Sequence, residues 1–365
     1  KGIEFLMNKN GITHISGFGR LIGGHDLIVT NKKEQKEISA KNIIIATGAR
    51  PKLIPGVEID GKQIIGSKAA MTLDTLPKKI LIIGSGAIGC EFAYYFNSFG
   101  VEVQIIEMQN RILPMEDEEI SKTVEKCFKG SGIKVVTNSK VQKITKLKNK
   151  VNITVKNESS FSTDLVLVAI GVQGNIEDIG LNKVGIKTRD SAIAINEYCQ
   201  TNISSIYAIG DVAGGPWLAH KASAQGHLVA DYISGQEVHV IDYSNIPSCT
   251  YSQPQIGSLG LTELKAKEMG YDVKIGKFSF QASGKALATG DTTGFVKLIF
   301  DSKYGELLGA HIVGSEATEM IAELNIAKSL ETTWENIAMT MHAHPTLSEA
   351  IMEAALDAYD SAIHH

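Results

Sequence analysis

Short apolar runs, each closed by glycine or a polar turn, set the texture of this chain. Residues 80–83 and 165–168 contain only Ile, Leu and Val, and Asn42-Ile-Ile-Ile-Ala-Thr-Gly48 echoes Leu165-Val-Leu-Val-Ala-Ile-Gly171. Unbroken runs of this length predict strands buried on both faces, as in a parallel sheet, each ending here at a glycine. The spacing turns helical over 117–132, where Ile120, Val124, Cys127 and Phe128 share a face, and 219–234 also reads as helix. Residues 13–16 and 26–30 read as strands of a glycine-turned meander, with further strands at 134–136 and 151–156. Towards the end, strands at 274–280, 295–300 and 307–313 are mixed with amphipathic helices over 316–330 and 348–363. The pattern predicts an α/β chain with a terminal α+β part.

Breakers mark the joints. Pro51, Pro55 and Gly56 interrupt regular structure, 76–80 reads as a linker into a strand, and Pro247 and Pro254 open a different texture. The expected division is 1–76 with 206–242, then 77–205, then 243–365. A length of 365 residues exceeds what one core usually serves, and 43% hydrophobic with 21% charged residues is ordinary for folded protein. A net charge of −4 offers no basic field, so no nucleic-acid partner is expected. The apolar runs are too short for a bilayer and no leader precedes Lys1, which leads to the expectation of no membrane and a cytoplasmic location. Cys90, Cys127, Cys199 and Cys249 are too dispersed for CxxC or a metal cluster, so buried thiols and no metal are expected.

The strongest chemical signal is Gly84-Ser85-Gly86-Ala87-Ile88-Gly89, placed between the 80–83 strand and a helix-like stretch. In that setting GxGxxG binds a dinucleotide. Gly84 allows the tight turn, Gly86 lets a pyrophosphate reach backbone N–H groups at the helix start, and Gly89 lets helix and strand pack closely. The next strand ends at Glu107, where an adenosine ribose diol is expected. No cation stands between Glu107 and Arg111, so NAD is favoured over NADP. Glu107 also reads as an ordinary solvated strand end.

Three further segments, 42–48, 201–211 and His342-Ala-His-Pro-Thr-Leu-Ser-Glu349, follow in the order found in the pyridine nucleotide-disulfide oxidoreductases, which the whole chain resembles. That resemblance implies two Rossmann-like dinucleotide-binding domains, the FAD domain incomplete, plus an α+β C-terminal dimerisation domain. It implies FAD beside Gly19, Thr47, Gly48, Asp211, Trp217, Leu218, Ala219 and His220. It places Glu91, Val141 and Gly171 along the NAD. Two of these carry plainer readings: Glu91 as an exposed first-turn carboxylate and Asp211 as a helix N-cap.

Residues 217–221 and 342–349 look most like members that oxidise protein-bound dihydrolipoamide. By that resemblance His344 takes a proton from a substrate thiol and Glu349 orients its imidazole, within a homodimer that serves lipoyl domains of 2-oxo acid dehydrogenase complexes. The plainer reading of Glu349 is the last residue of a T-x-x-E capping box begun by Thr346; His342 reads either as a support behind that pair or, more plainly, as packing or touching solvent. Two family features are missing from these residues: a first GxGxxG for the FAD pyrophosphate and a redox CxxxxC, both expected before Lys1. Val172-Gln-Gly-Asn175 also replaces an Arg-Pro segment common in relatives. The residues alone are therefore expected to be inactive, which leaves open a non-catalytic NAD-binding and dimerisation fragment, or another NAD(P)-dependent flavoprotein disulfide reductase.

Overall fold

A computed structural model describes every residue except Lys33, Asn157, Glu158 and His365. The chain divides into two compact units: Lys1–Arg50 with Val172–Ile241, and Pro51–Gly171 with Asp242–His365.

In the second unit, Lys79–Ile83 lies at the middle of a five-stranded parallel sheet. Its order is Ile64–Ile65, Leu165–Val168, Lys79–Ile83, Glu102–Ile106, Lys134–Val136. Side chains alternate between the faces of a strand. Ile80 and Ile82 accordingly join Val103, Ile105, Phe96, Val124 and Phe128, beneath helices Ala87–Ser98 and Glu118–Gly130. Leu81 and Ile83 face the other way, packing with Ile106, Val166 and Val168 under Val151, Ile153 and Val155 of a three-stranded antiparallel sheet. Burial on both faces explains why the run is unbroken, and each such side chain contributes about 1.5–3 kcal/mol.

From Lys79–Ile83 the chain steps outward to Glu102–Ile106 and Lys134–Val136, then returns to Leu165–Val168 on the opposite side. The ends of two neighbouring strands, Ile83 and Val168, therefore open onto a crevice where the strand order reverses, the usual ligand position in such sheets.

The remainder of this unit is a five-stranded antiparallel sheet, ordered Ser248–Thr250, Gln255–Gly260, Leu307–Gly314, Phe295–Asp301, Val273–Ser279. Helices Ala317–Ser329, Trp334–Met339 and Glu349–Asp357 cover one face through Met320, Ile337, Ile351 and Ala354. A buried ion cluster ties this sheet to the parallel one. Lys297 Nζ lies 3.0 Å from Asp117 Oδ1 and 2.7 Å from Glu263 Oε2. Asp117 also caps Glu118–Gly130 by accepting the Glu119 N–H. Burial works against the Lys297 charge, but Glu263 and Asp117 outweigh it and hold its pKa up. Burial likewise opposes ionisation of Asp117, and Lys297 overcomes it.

In the first unit, Ile43–Ile45 runs parallel to Ile206–Ala208 above a core of Leu21, Ile179, Leu181, Ile193 and Val212. A three-stranded antiparallel sheet, Phe18–Leu21, Asp26–Thr30 and Gln35–Ser39, and helix Ala219–Ile233 complete it.

Several expectations need correction. Residues 172–205 pack with Lys1–Arg50 through Ile179, Leu181 and Ile193, so the seam expected near 205 falls after Gly171. Residues 51–76 belong to the second unit, where Ile64–Ile65 extends the parallel sheet. No strand forms at 13–16, which is exposed throughout; pairing starts at Phe18, opposite Thr30. The helix expected to run to 363 ends at Asp357, shortly before Asp360 takes a left-handed φ of 55°. Helix Trp334–Met339 was not foreseen, being too short to display a period. Among the described residues no helix is long and apolar enough to cross a membrane.

Candidate functional site

The glycine turn sits at the crevice. Gly84 follows Ile83 with φ 97°, and a Cβ there would lie 2.4 Å from Ala169 O. A Cβ on Gly89 would lie 2.1 Å from Gly84 O, so helix and turn meet backbone to backbone. Gly86 differs: it is the N-cap of Ala87–Ser98, gives no side-chain cap, and a Cβ on it would meet no atom within 4 Å. The first N–H groups of that helix, on Ala87, Ile88 and Gly89, are those an anion would use. Residues 84–89 thus suit a pyrophosphate.

Glu107 is brought to this turn by three hydrogen bonds. Its Oε2 accepts from Ser85 N–H at 2.9 Å and Ser85 Oγ–H at 2.7 Å, and its Oε1 accepts from Gln109 N–H at 2.8 Å. It is only 7% exposed, so the solvated strand-end reading is corrected. A carboxylate offers about four acceptor positions, which leaves Glu107 about one for a ribose hydroxyl. Gly171, with φ 105°, lies on the facing rim just beyond Ala169. Val141 opens its strand partly buried against the Ile106 side of the sheet.

Glu91 is neither exposed nor in the first turn of the helix. It is partly buried and accepts the Tyr251 N–H at 2.9 Å. Burial pushes its pKa up, and the Tyr251 hydrogen bond opposes that. Nothing in the sequence pattern pointed to Tyr251, because the partner lies 160 residues away.

In the first unit, Thr47 Oγ donates to Asn175 O at 2.8 Å, and Asn175 N–H donates to Gly48 O at 2.9 Å. Arg50 Nη1 donates to Gly174 O at 3.1 Å. Gly174 and Asn175 are therefore pinned beside Thr47, Gly48 and Arg50. Asp211 lies inside the single 3-10 turn Gly210–Ala213, whose N-cap is Ile209, which corrects the N-cap reading. Sequence reading also passed over Lys221. This lysine is buried, and its Nζ donates to Gly210 O at 3.1 Å and Gly214 O at 2.6 Å, bracing the Asp211 turn from below. Burial pushes its pKa down, with Asp211 opposing. Leu218 is the N-cap of Ala219–Ile233, Ala219 and His220 form its exposed first turn, and Trp217 precedes them half-exposed. Gly19 stands apart from these residues on the antiparallel sheet, opposite Val29.

In the terminal part the histidine and glutamate of 342–349 are in contact. His344 Nδ1 lies 2.9 Å from Glu349 Oε1, while Glu349 Oε2 accepts the Thr346 N–H at 2.8 Å. The glutamate therefore orients the ring and caps the chain at once. The capping box is one-sided: Thr346 Oγ donates backwards to Ala343 O, and the helix starts later, at Glu349. The Thr346 hydrogen bond, then His344, hold the Glu349 carboxyl below its ordinary range against slight burial. His342 is buried between Thr340 O and Glu323, which corrects the solvent-contact reading.

A crevice holding GxGxxG and an acidic strand end, in a chain with a terminal histidine-glutamate pair, defines a class of dinucleotide-dependent oxidoreductase. Residues 1–226 match the family model described as pyridine nucleotide-disulphide oxidoreductase, and 246–355 match that family's dimerisation domain. The chain belongs to the pyridine nucleotide-disulphide oxidoreductase family. It is 48% identical to the dihydrolipoyl dehydrogenase of Zymomonas mobilis, over 100% of this chain and 79% of that protein. It is 44% identical to the dihydrolipoyl dehydrogenase of Bacillus subtilis, over 100% of this chain and 80% of that one. Among solved structures, LpdA of Mycobacterium tuberculosis superposes with a TM-score of 0.91 at 26% identity, covering 97% of this chain and 79% of that one. The HOCl-induced flavoprotein disulfide reductase RclA of Escherichia coli gives 0.87 at 27% identity, covering 97% and 83%.

Proposed function

We propose that this chain carries the NAD-binding, flavin-lining and acid/base residues of a dihydrolipoyl dehydrogenase. The observation that supports it most is the His344-Glu349 pair, present with the NAD-type turn in one chain. Glu349 accepts Nδ1–H of His344, so Nε2 keeps the lone pair that removes a proton from a substrate thiol. A thiol is a weak nucleophile until that proton leaves. FAD, when bound, supplies a two-electron relay to NAD⁺. Gly84, Ser85, Gly86, Ala87, Ile88 and Gly89 would seat the NAD pyrophosphate and Glu107 its ribose, with Glu91, Val141 and Gly171 along its length. Thr47, Gly48, Asp211, Gly19 and 217–220 would line the flavin, with Lys221 holding the Asp211 turn.

The working form is a homodimer built on residues 246–355, which receives dihydrolipoamide from lipoyl domains of 2-oxo acid dehydrogenase complexes in the cytoplasm. A second reading, an NAD-binding and dimerising chain without dithiol turnover, is favoured by one observation: none of the four cysteines has a partner at CxxxxC spacing. Flavin absorbance of the purified protein, its intact mass and NADH formation from dihydrolipoamide separate the two. Bound flavin with dithiol-dependent, NAD-selective turnover supports the first. NAD binding without flavin or turnover, from a protein whose mass matches these residues alone, supports the second.

A further inference from the structure

The turn before Glu349–Asp357 holds a second histidine-carboxylate pair for which the reading above has no task. The His342 side chain is 6% exposed, against 78% for His344. Its Nε2 lies 2.7 Å from Glu323 Oε1 on helix Ala317–Ser329, and its Nδ1 lies 2.9 Å from Thr340 O. Both ring nitrogens face acceptors, and a neutral imidazole has only one N–H. A ring held at both nitrogens, with its side chain almost wholly covered, is a rigid anchor rather than a surface group.

The anchor is tied to three helices. Thr340 is the C-cap of Trp334–Met339, and its hydroxyl and N–H both donate to Asn336 O. Glu323 belongs to Ala317–Ser329, and Glu349, which grips His344, opens the third helix. His342 thus fixes the backbone two residues before His344. It also adds to the effects of Thr346 and His344 that keep the Glu349 carboxyl low.

We propose that His342, held by Glu323, is a positioning residue for the His344-Glu349 pair, fixing the segment of chain that presents His344. The proposal rests on the reading of His344 as the thiol base. His342 acts through the turn and the neighbouring carboxylate rather than at the reacting atoms.

The test uses the full-length, flavin-loaded protein with His342→Asn, Glu323→Gln, Glu323→Asp and, as a reference, His344→Gln. Reduction of NAD⁺ by dihydrolipoamide is measured beside oxidation of NADH by ferricyanide, which needs no thiol deprotonation. Flavin content and melting temperature are recorded for each variant. His342→Asn and Glu323→Gln should each lower the dihydrolipoamide kcat about tenfold, part of what a general base contributes, with KM for the dithiol unmoved. The ferricyanide rate should hold, and Glu323→Asp should recover most of the loss. An unchanged dithiol kcat in His342→Asn overturns the proposal. So does a parallel fall in both reactions with flavin content and melting temperature, which marks a structural role only. If His344→Gln retains the dithiol rate, the thiol-base reading itself falls and takes the proposal with it. If His344→Gln is impaired and His342→Asn is not, the proposal alone is lost.

Discussion

Glu107 and Glu349 are two carboxylates that each hold a backbone N–H and a neighbouring side chain, yet they are built by different means. Glu107 is placed by burial: a hydrophobic strand carries it to the glycine turn, and Ser85 and Gln109 close around it. Glu349 is placed by local hydrogen bonds on a turn whose histidine stands largely in solvent. Glu107 itself cannot be altered without touching the core. The second can lose its chemistry while the fold stays intact.

The largest effect falls on the exposed site. His344→Gln should lower dihydrolipoamide turnover by about 10²–10⁴-fold, the range of a general base, with an unchanged melting temperature. A matching loss of thermal stability would erase the distinction between the two sites. Next comes Gly86→Val. Because a Cβ there meets nothing, the protein should fold, while KM for NAD⁺ in steady-state assays rises on the order of a hundredfold. Gly89→Ala tests the same motif from the other side. Its Cβ would strike Gly84 O, so thermal or urea melts should show a loss of about 1–3 kcal/mol, the usual overpacking penalty.

The smallest effect is a pH dependence. The native state holds the Glu349 carboxyl below its ordinary 4.5, so ionised Glu349 stabilises the fold fully above that pH, and the benefit is lost as pH falls through the lower native value. The melting-temperature gap between the natural chain and Glu349→Gln should therefore narrow on acidification below about pH 4.5. A gap that widens there would reverse the assigned charge state.

The difference between the sites also governs how much of each the amino-acid sequence discloses. The unbroken apolar runs and the GxGxxG spacing announced the parallel sheet and its turn, because burial leaves a mark on every residue of a strand. His344 and Glu349 were legible through their motif, and their contact is local. Tyr251, Lys221 and the anchoring of His342 by Glu323 were not. Each depends on a partner that no motif marks: Glu91 meets Tyr251 across 160 residues, His342 meets a carboxylate two helices earlier, and Lys221 meets the carbonyls of a neighbouring turn. The seam after Gly171 was missed for a similar reason, since residues 172–205 carry apolar positions that fit either sheet until Leu21 and Ile193 are seen to share a core.

Lys297 carries a different lesson. It joins the cap of a nucleotide-domain helix to the terminal sheet in one buried ion cluster, so the boundary near residue 242 is a boundary in sequence but not in interchangeability. A chimera that replaced residues 77–171 with another dinucleotide module would leave the buried Lys297 with Glu263 alone unless the donor brought its own carboxylate to the place of Asp117. The terminal half of this molecule is thus particular about its neighbour, and recombination between relatives is constrained at this ion cluster.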